Sequence, residues 1–124
     1  MSNIGPSQRQ LRVGEELRHA LSQTLRRGHF HDEVLFNAAP NLSVTEVRIS
    51  PDLKNATAYM MVLGGQGLDQ IIPALNDAAG YFQREIAHQM KMRFTPKLRF
   101  VVDESFENAA KIESLLRSLP KASE

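Results

Sequence analysis

The sequence predicts an α+β fold in which three strands form a small sheet with helices covering one of its faces. Two observations carry this prediction. Apolar residues recur at helical spacing in four stretches, and they alternate with period two, with one slip, in three others. The order is helix, two strands, two helices, one strand and a closing helix. The chain has 124 residues, the size of one domain. We place that domain at 6–119 and expect flexible termini at 1–5 and 120–124.

Composition narrows the class of protein. Hydrophobic residues make up 42% and charged residues 23%, which is ordinary for a globular domain. The absence of cysteine excludes disulfides, thiolate zinc sites and thiol catalysis. No apolar run approaches the ~18 residues of a membrane span, and the first residues lack the basic and apolar regions of a secretory signal. We therefore expect a cytoplasmic protein with no membrane association.

The first helix is predicted over residues 8–27. Ser7 with Gln10 three residues later matches a capping box, and Gly28 is a typical helix-terminating residue. Leucines and small residues at helical spacing form its apolar stripe, and arginines lie on the other side. Residues 28–41 contain glycine, proline and asparagine, and we expect them to be mostly loop.

Two strands follow as an antiparallel hairpin. Residues 42–50 are rich in β-branched side chains and predict a strand with a bulge near Thr45 and Glu46. Residues 55–63 alternate small and large side chains and predict the second strand. The short connection between them, with Pro51 and its turn chemistry, requires antiparallel pairing.

Two helical stripes and a third strand complete the sheet. The first stripe begins at Leu68, with Pro73 expected in the first turn or so, where backbone N–H groups have no intrahelical acceptor. The second stripe consists of Phe82, Ile86, Met90 and Phe94 and predicts a helix over about 81–93. A third strand then alternates through Leu98, Phe100 and Val102. The long connection leaves open whether this strand runs parallel or antiparallel to the second.

The chain between the two stripes is Ala78-Ala79-Gly80. Glycine inside a helical pattern costs about 1 kcal/mol relative to alanine. A sharp bend with small residues on its inside would explain that glycine, so we predict an interhelical kink at these three residues. The closing helix is predicted to begin at Ser105 and to end at Pro120.

A near-neutral net charge of +1 conceals two basic segments. Residues 8–27 carry five arginines against two glutamates, and residues 84–99 carry five cations against one glutamate. An acidic run lies at 103–107. Ten of the fifteen cations are arginine, whose planar guanidinium suits phosphate. The pattern fits either solvated helix faces or a phosphate-binding surface.

Other candidate sites are weak. The acidic run at 103–107 has no catalytic partner at a recognised spacing and suits a helix N-terminus. His29 and His31 have no carboxylate partner at a defined metal-ligand spacing. Gly64-Gly65-Gln66-Gly67 lacks the Gly-Lys-Ser/Thr ending of a nucleotide-binding loop. We therefore predict no catalytic residues, no metal and no cofactor, and a protein that is not an enzyme.

The element order and several short motifs resemble the ribosome-binding factor A family, which has a type II KH-like fold. The motifs lie at 50–57, 78–80, 94–100 and 112–116, and the resemblance spans about 6–117. KH domains usually place a Gly-x-x-Gly loop between the paired helices. Here that position holds the Ala-x-Gly kink, and the one Gly-x-x-Gly, at 64–67, precedes both helices. Two departures are Phe94 in place of tyrosine and Gln83 in place of a basic residue.

The resemblance implies a non-enzymatic, monomeric assembly factor. Such proteins bind the free 30S subunit and 16S rRNA, assist late maturation and processing at the 5′ end of the precursor, and matter most in the cold. They leave with help from an assembly GTPase.

Basic residues are the predicted RNA contacts, because structured RNA presents phosphates and a shallow minor groove. The first helix and the second of the paired helices are expected to join their basic residues into one face. Most phenylalanines are assigned to apolar stripes, so we expect phosphate or duplex contact rather than stacking of unpaired bases. The predicted contacts are Arg9, Arg12, Arg18, Arg84, His88, Lys91, Arg93, Lys97 and Arg99.

Three alternatives remain at this point. A KH-like regulator of messenger RNA would need a clamp loop between the paired helices. A small α+β hydrolase would need clustered carboxylates or histidines at strand ends. A module that binds only protein would need an exposed apolar patch.

Overall fold

A computed structural model describes residues 5–105. The predicted closing helix after Ser105, and with it the end of the predicted domain, lies outside the described residues, as do residues 1–4 and 120–124 of the predicted termini. The elements in chain order are α1 (Gln8–Arg27), α2 (Glu33–Ala38), a 3-10 turn (Ala39–Asn41), β1 (Leu42–Ile49), β2 (Asn55–Val62), α3 (Leu68–Asp77), α4 (Ala79–Met90) and β3 (Lys97–Val102). The described part is thus an α+β fold with the predicted order and one additional short helix.

The three strands form one mixed sheet in the order β1-β2-β3. Strands β1 and β2 pair antiparallel, as predicted, whereas β2 and β3 pair parallel. The parallel pair is joined through α3 and α4, the kind of crossover that parallel strands require. The register shifts between Val44 and Glu46, which confirms the predicted bulge. Because of this bulge, Val44 and Val47 are both buried although three positions separate them.

Helices α1, α3 and α4 pack on the same face of the sheet. Alternate residues of β2, from Ala56 to Val62, are buried beneath them. Phe82 of α4 contacts Phe100 of β3 with ring centroids 5.1 Å apart. The opposite face of the sheet presents exposed and half-buried side chains. Within residues 5–105, no helix is long and apolar enough to cross a membrane.

Helix α1 has the predicted boundaries and caps. The Ser7 hydroxyl accepts a hydrogen bond from the Gln10 backbone N–H at 3.1 Å, and the Gln10 side chain accepts one from the Ser7 N–H at 2.9 Å. Gly28 ends the helix in the left-handed conformation, with φ 66°. Local sequence signals are sufficient here because the capping partners are three residues apart.

The expectation of a loop at 28–41 is wrong, because this segment contains α2 and the 3-10 turn. Asp32 caps α2 by accepting a hydrogen bond from the Leu35 backbone N–H at 3.0 Å. Leu35 is only 1% exposed and Ala39 4% exposed, so residues four apart anchor this segment to the core. The helix cap and the two buried anchors outweigh the loop-favouring asparagine and proline.

Pro73 lies in the second turn of α3, where, contrary to the prediction, a backbone N–H would have an intrahelical acceptor. It removes one intrahelical hydrogen bond, whose acceptor would have been the Asp69 carbonyl. Both residues are exposed, so water can reach that carbonyl.

Helix α4 begins two residues earlier and ends three residues earlier than the predicted 81–93. Lys91 terminates it in the left-handed conformation with φ 52°, and its N–H bonds to the Ala87 carbonyl at 3.0 Å. Phe94 was predicted on the apolar stripe of this helix. It lies instead in the following loop and is 78% exposed.

Candidate nucleic-acid interface

Three separate segments meet at an open groove of about 950 Å³. They are the start of α1, the turn between β1 and β2, and the loop after α4. Each contributes one exposed basic residue, namely Arg9, Lys54 and Arg93. No carboxylate of residues 5–105 lies within ion-pair distance of any of the three. We call this site the cationic groove; its other lining residues are Pro51, Asp52, Leu53, Met92, Phe94 and Thr95.

Packing of α1 against α4 explains why these segments meet. The Gln89 amide donates to the Thr24 hydroxyl at 3.0 Å, and Arg27 forms an ion pair with Glu85 at 3.2 Å. Later residues of α1 therefore contact earlier residues of α4, so the two helices run antiparallel. This arrangement brings the C-terminal end of α4 towards the start of α1.

The turn that carries Lys54 is fixed by its own hydrogen bonds. One carboxylate oxygen of Asp52 accepts from the Ser50 hydroxyl at 2.6 Å and from the Lys54 backbone N–H at 3.0 Å. The hydroxyl and N–H donors lower the pKa of Asp52. The Lys54 carbonyl accepts from the Lys97 N–H at 2.8 Å, which joins the turn to the start of β3. Asp52 is thus a negatively charged lining residue that also orders the turn.

Lys54 was missed in the sequence analysis because it lies outside both basic segments. It is a single cation in a short turn, and only the tertiary fold places it beside Arg9 and Arg93. The one sequence signal was the Pro51-Asp52 pair, which fixes the turn and hence the position of Lys54.

Phe94 lines the cationic groove with 78% of its surface exposed. An exposed aromatic ring next to cations is a common feature of surfaces that bind single-stranded nucleic acid. The helical spacing of the apolar stripe predicts a core position for this ring and so disfavours stacking; its exposure shows that the predicted core position is wrong.

Four further predicted residues lie exposed near the two packed helices. Arg12 follows Arg9 by three positions on α1, so the two side chains are neighbours on the helix surface. Arg84 and His88 share the exposed side of α4, and Lys91 is its C-cap. The Arg27–Glu85 ion pair lies where the two helices touch.

Arg18 differs from the other predicted contacts because its charge is offset within the fold. Its guanidinium donates to the Glu15 carboxylate through Nε, at 3.0 Å, and through Nη2. The hydrogen bond from Arg18 lowers the pKa of Glu15 and raises that of Arg18. A phosphate at Arg18 would have to compete with this carboxylate.

Lys97 and Arg99 lie on a different surface from the helical residues. They alternate along β3 with the buried Leu98 and Phe100, so they project from the sheet face that the described helices leave uncovered. Arg99 lines a second cavity there, beside Arg48.

That second cavity contains its own internal partners. The Arg48 guanidinium lies 5.4 Å from the Tyr59 ring centroid and forms an ion pair with Glu46 at 2.8 Å. The pKa of Arg48 is raised by its hydrogen bond to Glu46. The Thr45 hydroxyl donates to Asp103. The nine predicted contacts therefore divide between two sides of the sheet.

Ala78 separates α3 from α4 with φ −93° and ψ 10°. Its N–H donates to the Ala74 and Leu75 carbonyls, and its carbonyl accepts from Tyr81 and Phe82. Ala79 and Gly80 form the first turn of α4. A Cβ at Gly80 would meet only Arg84 Nη1, at 3.7 Å, so this glycine is not demanded by internal crowding.

Two residues near the paired helices, Gln83 and Gly67, have structural roles in the fold. The Gln83 side chain accepts a hydrogen bond from the Leu98 backbone N–H at 3.1 Å. The glycine-rich loop at 64–67 connects β2 to α3, before both helices, and Gly67 is the N-cap of α3.

Among residues 5–105, no group of three or more histidine, aspartate or glutamate side chains is placed to hold a metal.

Comparison with known proteins gives one consistent result. The family model described as ribosome-binding factor A matches residues 9–116. A ribosome-binding factor A from Afipia carboxidovorans is 48% identical over 117 residues, covering 94% of this chain and 82% of the relative.

One crystal structure and one fitted homology model show the same fold. The crystal structure of ribosome-binding factor A from Thermus thermophilus superimposes with a TM-score of 0.62 at 24% identity, covering 75% of this chain and 94% of that one. A homology model of the Thermus thermophilus factor, fitted into a cryo-EM map of a 30S–RbfA complex, has a TM-score of 0.59 at 22% identity and covers 74% and 92% of the two chains.

Proposed function

The chain belongs to the ribosome-binding factor A family, and we propose that it binds the free 30S ribosomal subunit through phosphates of 16S rRNA. The family name of its relatives supports a ribosomal partner. The comparison with a protein fitted into a 30S complex points to the small subunit as that partner.

The cationic groove is the observation that carries this proposal. Three segments that are far apart in sequence converge there, and each contributes an exposed cation without an ion-pair partner among residues 5–105. Such cations can neutralise phosphates and release their counterions. Arg12, Arg84, His88 and Lys91 extend the proposed contact surface along α1 and α4.

We expect the remaining predicted residues to contribute less to RNA binding. Arg18 must exchange Glu15 for a phosphate, and we rank it below Arg9 and Arg93. Lys97 and Arg99 would contact RNA only on the other face of the sheet. The kink between α3 and α4 is proposed as a place where RNA can approach the backbone closely, because its side chains are small. It consists of Ala78, Ala79 and Gly80.

The biological role proposed for the protein follows the family. It acts as a cytoplasmic monomer, without catalysis, in late maturation of the small subunit and processing at the 5′ end of the 16S precursor. This role matters most in the cold, and an assembly GTPase assists release.

Co-sedimentation tests the proposed partner. The purified full chain is centrifuged with free 30S subunits, with 70S ribosomes and with bulk tRNA over a series of salt concentrations. We expect retention on free 30S subunits that weakens as salt rises. Equal retention on all three would identify a generic polyanion binder and contradict the proposal, as would no retention on any of them.

A charge-reversed variant tests the surface. Arg12→Glu with Arg93→Glu should abolish retention without unfolding the protein, because both residues are exposed. The matched control is Arg26→Glu with Arg48→Glu, which makes the same change in net charge away from Arg12 and from the cationic groove. Equal loss in both variants would mean that net charge, not this surface, determines binding.

A further inference from the structure

Phe94 is an exposed aromatic ring in a position where the fold does not need it. It is 78% exposed, the largest exposed fraction among the exposed large hydrophobic residues in the described part of the chain. It follows Arg93 directly and lines the groove with Arg9 and Lys54. Exposing an aromatic ring to water forfeits the stabilisation that burial would give, so the ring contributes little to folding.

We propose that the cationic groove captures an unpaired nucleotide, with its base stacked on Phe94 and its flanking phosphates held by Arg9, Lys54 and Arg93. The inference rests on the proposed function and names the kind of RNA that this site takes. It replaces the expectation, drawn from the sequence, that stacking of unpaired bases is disfavoured.

The chemistry of the groove favours an unpaired nucleotide over a duplex. In a duplex the base faces are stacked on one another, so phosphates would satisfy the cations and the ring would remain in water. An unpaired nucleotide offers a base face and phosphates at once. Stacking on an aromatic ring is tolerant of base identity because every base has a π-face.

The charge of the groove favours a nucleic acid over an acidic peptide only in combination with the ring. Three cations face one carboxylate, Asp52, so the groove carries a net positive charge; one oxygen of that carboxylate also accepts hydrogen bonds from the Ser50 hydroxyl and the Lys54 N–H. A run of glutamates would satisfy the cations but would leave Phe94 exposed. The ring therefore distinguishes the two classes of partner.

Phe94→Leu is the decisive variant, and it is compared with Phe94→Tyr and Phe36→Leu. Leucine keeps an apolar side chain and removes the π-face, whereas tyrosine keeps the π-face. Phe36 is 59% exposed and lies beside a different cavity, so Phe36→Leu is a matched control. The three variants alter two exposed rings, those of Phe94 and Phe36, and thermal unfolding verifies that each variant folds.

The full chain is titrated with a single-stranded RNA hexamer carrying 2-aminopurine, with the same hexamer in duplex, and with hexaglutamate. We expect the single strand to bind more tightly than the duplex despite carrying half the phosphates. Phe94→Leu should weaken single-strand binding at least about five-fold, the lower end of one aromatic–base stack. Phe94→Tyr and Phe36→Leu should stay within two-fold of the unaltered chain.

The salt dependence separates the two parts of the site. Replacing one cation of the groove should reduce the magnitude of the slope of log K against log salt by about 0.7, the value per phosphate contact on a single strand. The variants are Arg9→Gln, Lys54→Gln and Arg93→Gln. Phe94→Leu should weaken binding with the slope unchanged. Three results would each overturn the proposal. Phe94→Leu could bind the single strand as tightly as the unaltered chain does, or the unaltered chain could bind the duplex, or hexaglutamate, more tightly than the single strand.

Retention of Phe94→Leu on 30S subunits distinguishes failure of this inference from failure of the proposed function. If the unaltered chain is retained and Phe94→Leu is retained equally, the proposed function stands and the nucleotide site is refuted. If the unaltered chain is not retained, the proposed function fails, and the hexamer titration alone decides the groove's ligand.

Discussion

Asn76 of α3 forms two hydrogen bonds with the backbone of Phe100 in β3. Its Oδ1 accepts from the Phe100 N–H at 2.8 Å, and its Nδ2 donates to the Phe100 carbonyl at 3.0 Å. Gln83 accepts from the N–H of Leu98, two residues earlier. Side chains from α3 and α4 therefore satisfy backbone groups along the open edge of β3, which would otherwise be available to pair with another strand.

Asn76→Leu should destabilise the protein by about 2–3 kcal/mol, because it leaves a half-buried N–H and carbonyl of β3 without their partners. Chemical denaturation measures this change in the free energy of unfolding. Asn37→Ala, at an exposed asparagine, serves as the control and should change stability by no more than about 0.5 kcal/mol. A loss of similar size in both variants would argue against a specific role for the Asn76 clamp.

Gly14 permits the close approach of α1 to β1. A Cβ at this position would lie 2.5 Å from the Val47 carbonyl oxygen, which is backbone and cannot rotate away. We expect Gly14→Ala to destabilise the protein by about 1–3 kcal/mol through overpacking. Gly80→Ala is the matched change in another helix, where a Cβ has room; it should stabilise by about 0.5–1 kcal/mol. Thermal unfolding of the two variants should therefore shift in opposite directions.

Lys91 adopts a left-handed backbone conformation that disfavours residues with a Cβ. Lys91→Gly should stabilise the protein by about 1 kcal/mol while weakening 30S binding, since it removes a proposed phosphate contact. Asparagine also tolerates this conformation but carries no charge. The variant Lys91→Asn therefore separates the effect of the lost charge on 30S binding from the effect of the backbone on stability. Unchanged stability in Lys91→Gly, measured by chemical denaturation, would contradict the strain argument.

The Arg18–Glu15 pair sets a pH-dependent contribution to stability. The pKa of Glu15 is below its ordinary value of 4.5 in the folded protein. Its contribution is therefore present above pH 4.5 and is lost as pH falls through the lowered pKa. The substitution Arg18→Gln removes the hydrogen bond that lowers the pKa of Glu15, so we expect this pKa to rise towards 4.5. NMR titration of the Glu15 carboxyl measures the change. The stability difference between variant and unaltered chain should disappear in acid; a difference that persists there would have another cause.

Much of the fold could be predicted because its signals are local. The capping box and Gly28 define α1, and alternation defines β1 and β2, including the bulge. The end of α4 could not be predicted, because an apolar stripe continues in sequence through Phe94 while the backbone leaves the helix at Lys91. The segment containing α2 was missed because Asp32 and Leu35 give weaker signals than the neighbouring proline and asparagines.

The candidate site was only partly predictable for a different reason. Basic residues could be counted in each segment, but their neighbours depend on how α1 packs against α4. Lys54 joins Arg9 and Arg93 only through that packing, whereas Arg99 lies on another face because β3 alternates. Sequence could not show that Glu15 offsets Arg18, because several rotamers of both side chains are compatible with the helix.

Whether the cationic groove holds rRNA phosphates is measured by the salt dependence of 30S binding in the double variant Arg9→Gln with Arg93→Gln. If the cationic groove holds rRNA phosphates, the slope of log K against log salt should fall in magnitude by about 1.4–1.8, since each of the two lost contacts removes about 0.7–0.9. Arg26→Gln with Arg48→Gln removes the same charge elsewhere and should leave the slope close to that of the unaltered chain. An unchanged slope in the groove variant, or an equal fall in both variants, would contradict the account.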